Sequence, residues 1–356
     1  MSTNKSVLFI GKNITHYVRN FSTALSTLGF SIVEPTKITC NTPGLLKKTF
    51  CKEKNNIDFL DKQNTLNLVA LKKTKPSFVF IVNHRFVNES FFVACQEKGI
   101  PVYGYLMDSA RCLDFAVQHT HLYTSLYSYE PSDAKIAFSN GKRIHFLPMG
   151  FNPNIFNNID IPKTKKWDIC FVGALDKKRL RLLECAAKYA AEHSLKMVVY
   201  TSIQLKKFPN IWLVPKILVR RLIFSCKYPH LYKCIINEPI NAEKLAALYK
   251  TTKICLNITQ GRQKGMHTGP NPRTFEILAC QAFQLLDEGH LYGTNLVNEK
   301  HLVEFTDEND FCSKIGEYID NNELRDKISK QGYTAVQGKY TVDILVKTIL
   351  ENEHLL

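Results

Sequence analysis

The sequence predicts an α/β protein made of two doubly wound, Rossmann-like domains whose parallel sheets face each other. Three observations support this fold class. Short apolar runs alternate with longer segments of helical periodicity, a Pro- and Asn-rich segment at 150–166 interrupts the alternation, and a second alternating series begins at Trp167. The length of 356 residues, with 45% hydrophobic and 22% charged residues, suits two globular domains.

The elements of the first half follow β-α-β order. An apolar run predicts a first strand at 7–11, and Tyr17, Phe21 and Leu28 belong to the apolar stripe of a helix that stops at Gly29. The same patterns predict the other elements, which are strands at 31–35, 77–83, 101–108 and 144–150 and helices at 59–75, 89–99 and 131–141.

The second half repeats this order without repeating the residues. A strand, a turn, a helix and a strand are predicted between 167 and 202. They are followed by strands at 253–260, 283–288 and 302–305 and by helices at 241–252, 308–320, 322–337 and 341–352. Ligands of such sheets bind beyond the carboxyl ends of the strands, so functional side chains are expected there. We therefore divide the chain into domains at 1–155 and 156–338, with a final helical segment at 339–356.

The net charge of +15 favours an acidic partner, which could be nucleic acid, anionic lipid or a phosphorylated small molecule. The lysines are dispersed along the chain, which disfavours a disordered nucleic-acid-binding arm. No apolar run approaches the roughly 20 residues of a membrane-spanning helix, and the N-terminal apolar run is too short for a secretion signal. These features predict a cytoplasmic protein.

Eleven cysteines are scattered along the chain, and none forms a C-x-x-C pair. Most of them lie inside apolar runs, such as Cys170, Cys255 and Cys280. We expect buried, reduced thiols, because a free cysteine behaves as a small hydrophobic residue. Structural zinc is not expected, because paired ligands at short spacing are missing.

The segment 211–234 interrupts the alternation and interleaves apolar with basic residues. One interpretation is an insertion that lies on an anionic membrane surface. The other is an ordinary core-facing segment that keeps Lys216, Arg220 and Arg221 in solvent.

The stretch from His267 to Glu288 has the pattern of a ligand-binding helix start. Asn271 is a suitable N-cap, and proline follows at the first helical position, where its missing N–H costs nothing. Arg273 and the free N–H groups of the helix start could bind a diphosphate, and Gly269 allows a close approach. Glu276 could accept hydrogen bonds from the hydroxyls of a ribose. The alternative is a capped helix with a local Arg–Glu pair.

A second candidate site follows the strand that ends at Gly173. Lys178 and Arg179 belong to a basic cluster in the first turn of the next helix, with Lys177 and Arg181. Cations at a helix start oppose the helix dipole, so this arrangement costs stability unless an anion is recruited. The alternative is a solvated basic face.

Candidate catalytic residues lie at the predicted strand ends of the first half. Asp108 follows one strand and His16 lies near the end of the first strand. An acceptor hydroxyl needs a base or an orienting acceptor, and either side chain could serve. The segment 83–85, which contains His84, follows another strand, and all these side chains are expected to point into a cleft between the domains.

Several stretches resemble the CgeB-like branch of the GT-B glycosyltransferases, named after a spore maturation protein. The resemblance covers about the last two thirds of the chain and is weaker in the N-terminal third. Its most specific part is R-x-F-E-x-x-A, from Arg273 to Ala279, after a Pro-Asn pair. The other stretches that carry it are 129–156, 165–184, 249–258 and 301–319.

The resemblance implies a GT-B fold with an N-terminal acceptor domain, a C-terminal nucleotide-sugar donor domain, and a final helix that crosses back to the N-terminal domain. It also implies transfer of a sugar from a nucleoside diphosphate sugar, without a tightly bound metal or other cofactor. Glu276 would hold the ribose, and Arg273 with the backbone of Gly269 to Asn271 would hold the diphosphate. Lys178 or Arg179 would add charge on the leaving phosphates, and Gly173 would let the donor approach.

One position departs from the wider GT-B pattern of two glutamates eight residues apart. Thr268 stands at the upstream position, which leaves the sugar contact and the retaining or inverting outcome open.

The sequence therefore predicts a cytoplasmic, nucleotide-sugar-dependent glycosyltransferase that acts in an interdomain cleft on an unidentified acceptor. A polyanionic or membrane-associated acceptor would account for the positive charge and for peripheral contact with a membrane. Two alternatives remain open. One is a nucleotide-sugar epimerase or hydrolase on the same fold, and the other is a non-catalytic basic module that binds nucleic acid or anionic membrane.

Overall fold

A computed structural model describes most of the chain. The described residues are 5–11, 16–36, 54–82, 84–110, 118–136, 141, 143–162, 164–201, 214–261 and 268–356. Contacts between Cα atoms divide the chain into two compact units, one formed by Met1–Pro148 with Val342–Leu356 and the other by Met149–Thr341.

The first unit contains a six-stranded, fully parallel sheet in the order β2-β1-β3-β4-β5-β6. The runs at 6–10, 78–81 and 102–106 are largely apolar and almost entirely buried, as is typical of strands in a sheet covered on both faces. The strands are β1 (Ser6–Ile10), β2 (Ser31–Val33), β3 (Phe78–Ile81), β4 (Val102–Leu106), β5 (Ser125–Ser128) and β6 (Ile144–Phe146).

Helices α1 (His16–Thr27), α2 (Lys54–Thr74) and α3 (Glu89–Glu97) connect these strands, and α11 (Val342–Asn352) packs against α1. Helix α1 buries Val18, Phe21 and Leu25, three residues of its apolar stripe. Near the C-terminus, the Tyr127 hydroxyl donates a hydrogen bond of 2.6 Å to the Glu353 carboxylate, which ties the end of the chain to β5.

The second unit contains another parallel six-stranded sheet, in the order β12-β11-β10-β7-β8-β9. Its strands are β7 (Trp167–Val172), β8 (Met197–Tyr200), β9 (Ile235–Ile236), β10 (Thr252–Asn257), β11 (Gln284–Asp287) and β12 (Val303–Phe305). Its helices are α4 (Lys177–Glu192), α5 (Val214–Lys227), α6 (Pro229–Cys234), α7 (Ala242–Lys250), α8 (Pro272–Ala279), α9 (Glu308–Asp320) and α10 (Asn322–Val336).

The segment between the two sheets belongs to the second unit. Phe151 is buried, forms an isolated parallel bridge with Thr341, and donates its N–H to the carbonyl of Tyr340 at 2.9 Å. This pairing holds the segment after Met149 against the residues between α10 and α11. The boundary expected from sequence, at 155/156, lies a few residues further along the chain.

The helix predicted at 131–141 is wrong in its described part, where a short 3-10 helix ends at Lys135. The buried carboxylate of Asp133 accepts hydrogen bonds from the Ser109 and Ser128 hydroxyls and from the backbone N–H of Ala110. These three bonds fix the turn against the ends of β4 and β5, and Ile136 then continues in an extended conformation. Strands β5 and β9 were not predicted.

The expectation that the cysteines are reduced thiols is wrong for one pair. Cys185 on α4 and Cys312 on α9 are joined by a disulfide, with their Cα atoms 6.9 Å apart. The two residues are 127 positions apart in sequence, and only the packing of α4 against α9 brings them together. Cys95, Cys170 and Cys255, in contrast, are buried free thiols.

Among the described residues, no helix combines the length and the apolar character that crossing a bilayer requires.

Candidate functional site: the carboxyl ends of β7 and β10

The second sheet reverses its strand order between β7 and β10. From β7 the chain continues to β8 on one side, and from β10 it continues to β11 on the other. The helices that follow these two strands therefore leave in opposite directions, and a crevice remains between their N-termini. This topological switch point is where a ligand is expected, and the predicted donor-site residues Gly173, Arg179 and Arg273 meet there.

Helix α8 begins at the switch point as its sequence predicts. Asn271 is the N-cap, with an extended backbone, and its side chain accepts a hydrogen bond from the N–H of Thr274 at 3.3 Å. Pro272 occupies the first turn. The cap directs the helix start, with its partial positive charge, toward the end of β10.

Asn257, the last residue of β10, organises this helix start. Its side chain is fully buried and donates hydrogen bonds to Asn271 and to the Thr274 hydroxyl, at 3.3 and 3.0 Å. Its amide oxygen accepts from Asn271 Nδ2 and from Arg273 Nη1, both at 3.1 Å. One buried amide thus joins the strand end, the helix cap and the arginine.

Two arginines lie over the ring of Phe171 in β7. The guanidinium carbons of Arg179 and Arg273 are 5.5 and 5.6 Å from the ring centroid. Cation–π attraction helps to hold both positive groups at the strand end despite their mutual repulsion.

Gly173 is the residue that leaves room for these arginines. A Cβ atom added there would lie 3.1 Å from Arg273 Nη2, 3.2 Å from Phe171 Cζ and 3.5 Å from Arg179 Nη1. Any larger residue at this position would push against the guanidinium of Arg273. The absence of a side chain therefore keeps Arg273 in its place.

Arg179 is buried and binds the protein backbone. Its Nε and Nη2 donate to the carbonyl of Ile258 at 2.9 and 2.6 Å, and its Nη1 donates to the carbonyl of Ala174 at 2.8 Å. These bonds tie the loop after β7 to the end of β10. Asp176 strengthens the same junction, because it caps α4 through Arg179 N–H and accepts from Gly261 N–H.

Lys178, which is half-buried, joins a network of buried polar side chains at the ends of β10 and β11. Its Nζ lies 2.5 Å from Asp287 Oδ2, and Asp287 also accepts hydrogen bonds from the hydroxyl and the N–H of Thr259. His290 Nε2 lies 3.1 Å from the Thr259 hydroxyl, and its Nδ1 is buried with no hydrogen-bond partner among the described residues. Burial opposes ionisation of Asp287, but hydrogen bonding and charge from His290 and Lys178 lower its pKa well below the usual range.

Two cations of the basic cluster at the start of α4 are therefore paired with carboxylates of the protein itself. Lys178 pairs with Asp287, and Arg181 pairs with Glu308 at 2.6 Å in a largely exposed ion pair. These two carboxylates offset the unfavourable interaction of the cations with the helix dipole. Lys178 and Arg181 therefore need no external anion to offset this cost.

Glu276 lies on the buried face of α8, with 1% of its surface exposed, whereas Arg273 is half-buried. Burial raises the pKa of the Tyr249 hydroxyl well above its usual range, and the charge of Glu276 adds to this effect. Thr268 accepts a hydrogen bond from Tyr292 N–H at 3.0 Å, and Gly269 beside it is buried. The predicted phosphate and ribose residues thus share one helix but differ in accessibility.

The predicted catalytic residues lie in the first unit. Asp108 is exposed in the bend that follows β4, and His16 is the first residue of α1, with a side chain outside the described part. His84 is buried rather than open to solvent. Its Nδ1 lies 2.6 Å from the Tyr123 hydroxyl and its Nε2 lies 3.1 Å from the carbonyl of Tyr105.

His84 is expected to make stability depend on pH. Burial lowers its pKa to about 4, against the opposing effect of the hydrogen bond with Tyr105. The pKa of this imidazole is lower in the folded state than in the unfolded state, where it is about 6.5. Its contribution to the free energy of unfolding is therefore complete above pH ~6.5. This stability is lost as pH falls toward 4, by up to about 1.4 kcal/mol per pH unit.

Urea unfolding of the wild type and of His84→Gln across this pH range measures the effect. Other acidic groups titrate in both proteins. The difference between the two proteins in how steeply the free energy of unfolding changes with pH therefore isolates the contribution of His84. If the free energies of unfolding of the two proteins changed with pH in parallel, His84 would not be held neutral in the folded state.

The sequence analysis did not identify several site residues, among them Asn257, Thr259, Asp287 and His290. Asn257 and Asp287 carried a usable signal, because each is a polar residue at the carboxyl end of an apolar strand. The rule that selected Asp108 would have selected both. Thr259 and His290 carried no comparable signal, because their roles arise only from contacts between two strand ends.

Two parallel six-stranded sheets with flanking helices, one in each unit, have the GT-B architecture of glycosyltransferases. Residues 204–351 match the family model described as "Glycosyl transferase-like". Together, this match and the fold support a glycosyltransferase, and they specify no acceptor.

The solved structures that this chain is similar to include sucrose-phosphate synthase from Thermosynechococcus elongatus, with a TM-score of 0.69, 12% identity and coverage of 98% of each chain. They also include an α,α-trehalose-phosphate synthase (UDP-forming) from Burkholderia vietnamiensis, with a TM-score of 0.67, 10% identity and coverage of 99% of this chain and 100% of that one. In sequence, the chain is 21% identical over 308 residues to spore protein CgeB of Bacillus subtilis (strain 168), covering 83% of this chain and 89% of that protein.

Proposed function

We propose that this protein is a nucleotide-sugar-dependent glycosyltransferase of the CgeB-like branch, in class EC 2.4. It moves a sugar from a nucleoside diphosphate sugar to a hydroxyl or other nucleophile of an acceptor that is still to be identified. The name of the trehalose-phosphate synthase contains "UDP-forming", which makes a UDP-sugar the first donor to test. No tightly bound cofactor enters the proposal.

The observation that carries the proposal is the meeting of Gly173, Arg273 and the capped start of α8 at the switch point of the second sheet. Free backbone N–H groups and a guanidinium at a helix N-terminus suit a diphosphate. Gly173 leaves space beside the guanidinium. A diphosphate bound here would place its negative charge against both the helix dipole and Arg273.

The leaving group gains negative charge as the glycosidic bond to the diphosphate breaks. Cations and N–H dipoles that are already in place stabilise this charge more in the transition state than in the bound donor. Arg273 contacts the phosphates directly in this proposal, assisted by Lys178 and the backbone of Gly269 to Asn271. Arg179 supports them by holding the loop after β7 against the end of β10.

On the acceptor side, Asp108 or His16 would receive the proton of the attacking hydroxyl. A carboxylate or imidazole within hydrogen-bond reach of that hydroxyl is the requirement. Asp108 is exposed, which leaves it accessible to an acceptor. A polyanionic acceptor would account for the net charge of +15, and the protein would act in the cytoplasm.

A thermal-shift screen against UDP-, GDP-, CMP- and dTDP-sugars tests the donor class. A donor at about 100 times its Kd should stabilise the protein by about 2.7 kcal/mol, and the matching free sugar should not. The protein is then incubated with the stabilising donor in the absence of an acceptor, which distinguishes a transferase from a hydrolase or an epimerase. Slow donor breakdown fits a transferase, whereas rapid hydrolysis or epimerisation would identify the alternative enzyme. No shift with any donor would contradict the proposed function.

A further inference from the structure

Helix α5 carries an apolar stripe that faces solvent. Val219, Leu222 and Ile223 have 54%, 64% and 60% of their surface exposed, and Cys226 is an exposed free thiol. The four positions follow the spacing i, i+3, i+4, i+7, which places them on one side of the helix. We call these four residues the α5 face. The core-facing interpretation of this segment is therefore wrong for the α5 face.

The other side of α5 attaches the helix to the second unit. Phe224 packs against the hydrophobic core of this unit, and its ring centroid lies 5.2 Å from that of Tyr228. The next helix, α6, is held by Glu184, which accepts hydrogen bonds from the N–H groups of His230 and Leu231 and from His230 Nδ1. These contacts orient α5, so its apolar stripe is displayed rather than turned inward.

The chain segment that contains the α5 face carries charged side chains of a single sign. Residues 193–237 contain eight lysines and arginines and no aspartate or glutamate. Arg221, Lys227 and Lys233 within this segment are exposed. The segment thus holds more than half of the net charge of +15 in a small part of the chain. A neutral or positively charged partner would leave this charge unpaired.

We propose that the α5 face docks on an anionic lipid surface, with its apolar stripe in the interface and the surrounding cations at the headgroups. Exposed valine, leucine and isoleucine gain free energy by leaving water, and lysines and arginines nearby gain from the negative surface potential. Long basic side chains can bury their stems and keep their charges at headgroup level. This inference goes beyond the proposed transferase activity and does not depend on it.

The charge pattern distinguishes this occupant from two others. A second copy of the chain would bring two basic segments together, and like charges oppose that contact. Nucleic acid would satisfy the cations but leave three exposed aliphatic side chains in water. An anionic bilayer satisfies both features at once.

Flotation of the full-length protein with phosphatidylcholine vesicles, with or without phosphatidylserine, tests the proposal without any donor sugar. The wild type should float with the anionic vesicles and remain largely unbound with the neutral ones. Leu222→Asn with Ile223→Asn should weaken binding to anionic vesicles at least about tenfold, because two inserted aliphatic side chains are lost. Ile159→Asn is the matched control, since Ile159 is 62% exposed on a different surface, and its binding should equal that of the wild type.

Three results would overturn the proposal. The wild type could fail to float with anionic vesicles, or the double variant could bind them as well as the wild type, which would indicate adsorption by charge alone. Light scattering could instead show a dimer of the wild type that the double variant loses, which would make a second copy the occupant. Thermal unfolding of each variant confirms that the surface substitutions leave the fold intact.

Discussion

Replacing Arg273 with alanine is expected to weaken binding of a nucleoside diphosphate about 10- to 100-fold, because one charge-assisted hydrogen bond is worth about 1.5–3 kcal/mol. Binding of the corresponding free nucleoside should change by less than about threefold, since it has no phosphate for the guanidinium. Isothermal titration with UDP and uridine measures both affinities. The prediction rests on the position of Arg273 between Asn257, Phe171 and Gly173.

Arg181→Ala is the control for this variant. Arg181 is also an arginine near a helix start of the second unit, but it is largely exposed and paired with Glu308. Its loss removes the same charge from the unit and should leave both affinities nearly unchanged. Equal losses for UDP and uridine in Arg273→Ala would contradict the phosphate assignment, as would an equal loss of UDP affinity in both variants.

Replacing Glu276 with glutamine is expected to weaken UDP and uridine to a similar extent, by about 10-fold or more, because both ligands contain the ribose. Glutamine keeps the size of the buried side chain and removes only its charge and one acceptor. A donor analogue without the 2′- and 3′-hydroxyls gives the sharper measurement. This analogue should bind the wild type more weakly than UDP does. Its affinity for Glu276→Gln should equal its affinity for the wild type.

Glu184→Gln controls for a general effect of losing a carboxylate from this unit. Glu184 holds the start of α6 and is not a predicted donor residue, so its variant should lose stability without losing the preference for ribose hydroxyls. If Glu276→Gln retains that preference in full, Glu276 has a packing role within the core. The burial of Glu276 at 1% exposure makes this the decisive experiment for the ribose assignment.

Strong local patterns predicted the helices near the end of the chain. The helices expected at 308–320, 322–337 and 341–352 agree with α9, α10 and α11 to within a residue at either end. Periodicity and capping residues are properties of consecutive positions, so a helix with an apolar stripe and a clear N-cap can be recognised from the sequence. Asn271 and Pro272 at the start of α8 show the same point.

Patterns failed where partners distant in sequence decide the structure. The 3-10 turn at Pro131–Lys135 depends on three hydrogen bonds that converge on Asp133, two of them from residues more than twenty positions away. The disulfide between Cys185 and Cys312 depends on the packing of two helices. Neither arrangement leaves a periodic trace in the sequence.

The sequence alone determined the α/β class, most of the strands and helices along the chain, and the capped helix start that carries Arg273 and Glu276, because these follow from contacts among near neighbours. Only the tertiary structure decided which charges are already paired, which arginine is accessible and which apolar stripe faces solvent. Strand order brings Asn257, Asp287 and Gly173 to neighbouring strand ends, although they lie far apart in the chain. Charge pairing and burial are properties of such assembled neighbours, and they differ for residues that look alike in sequence.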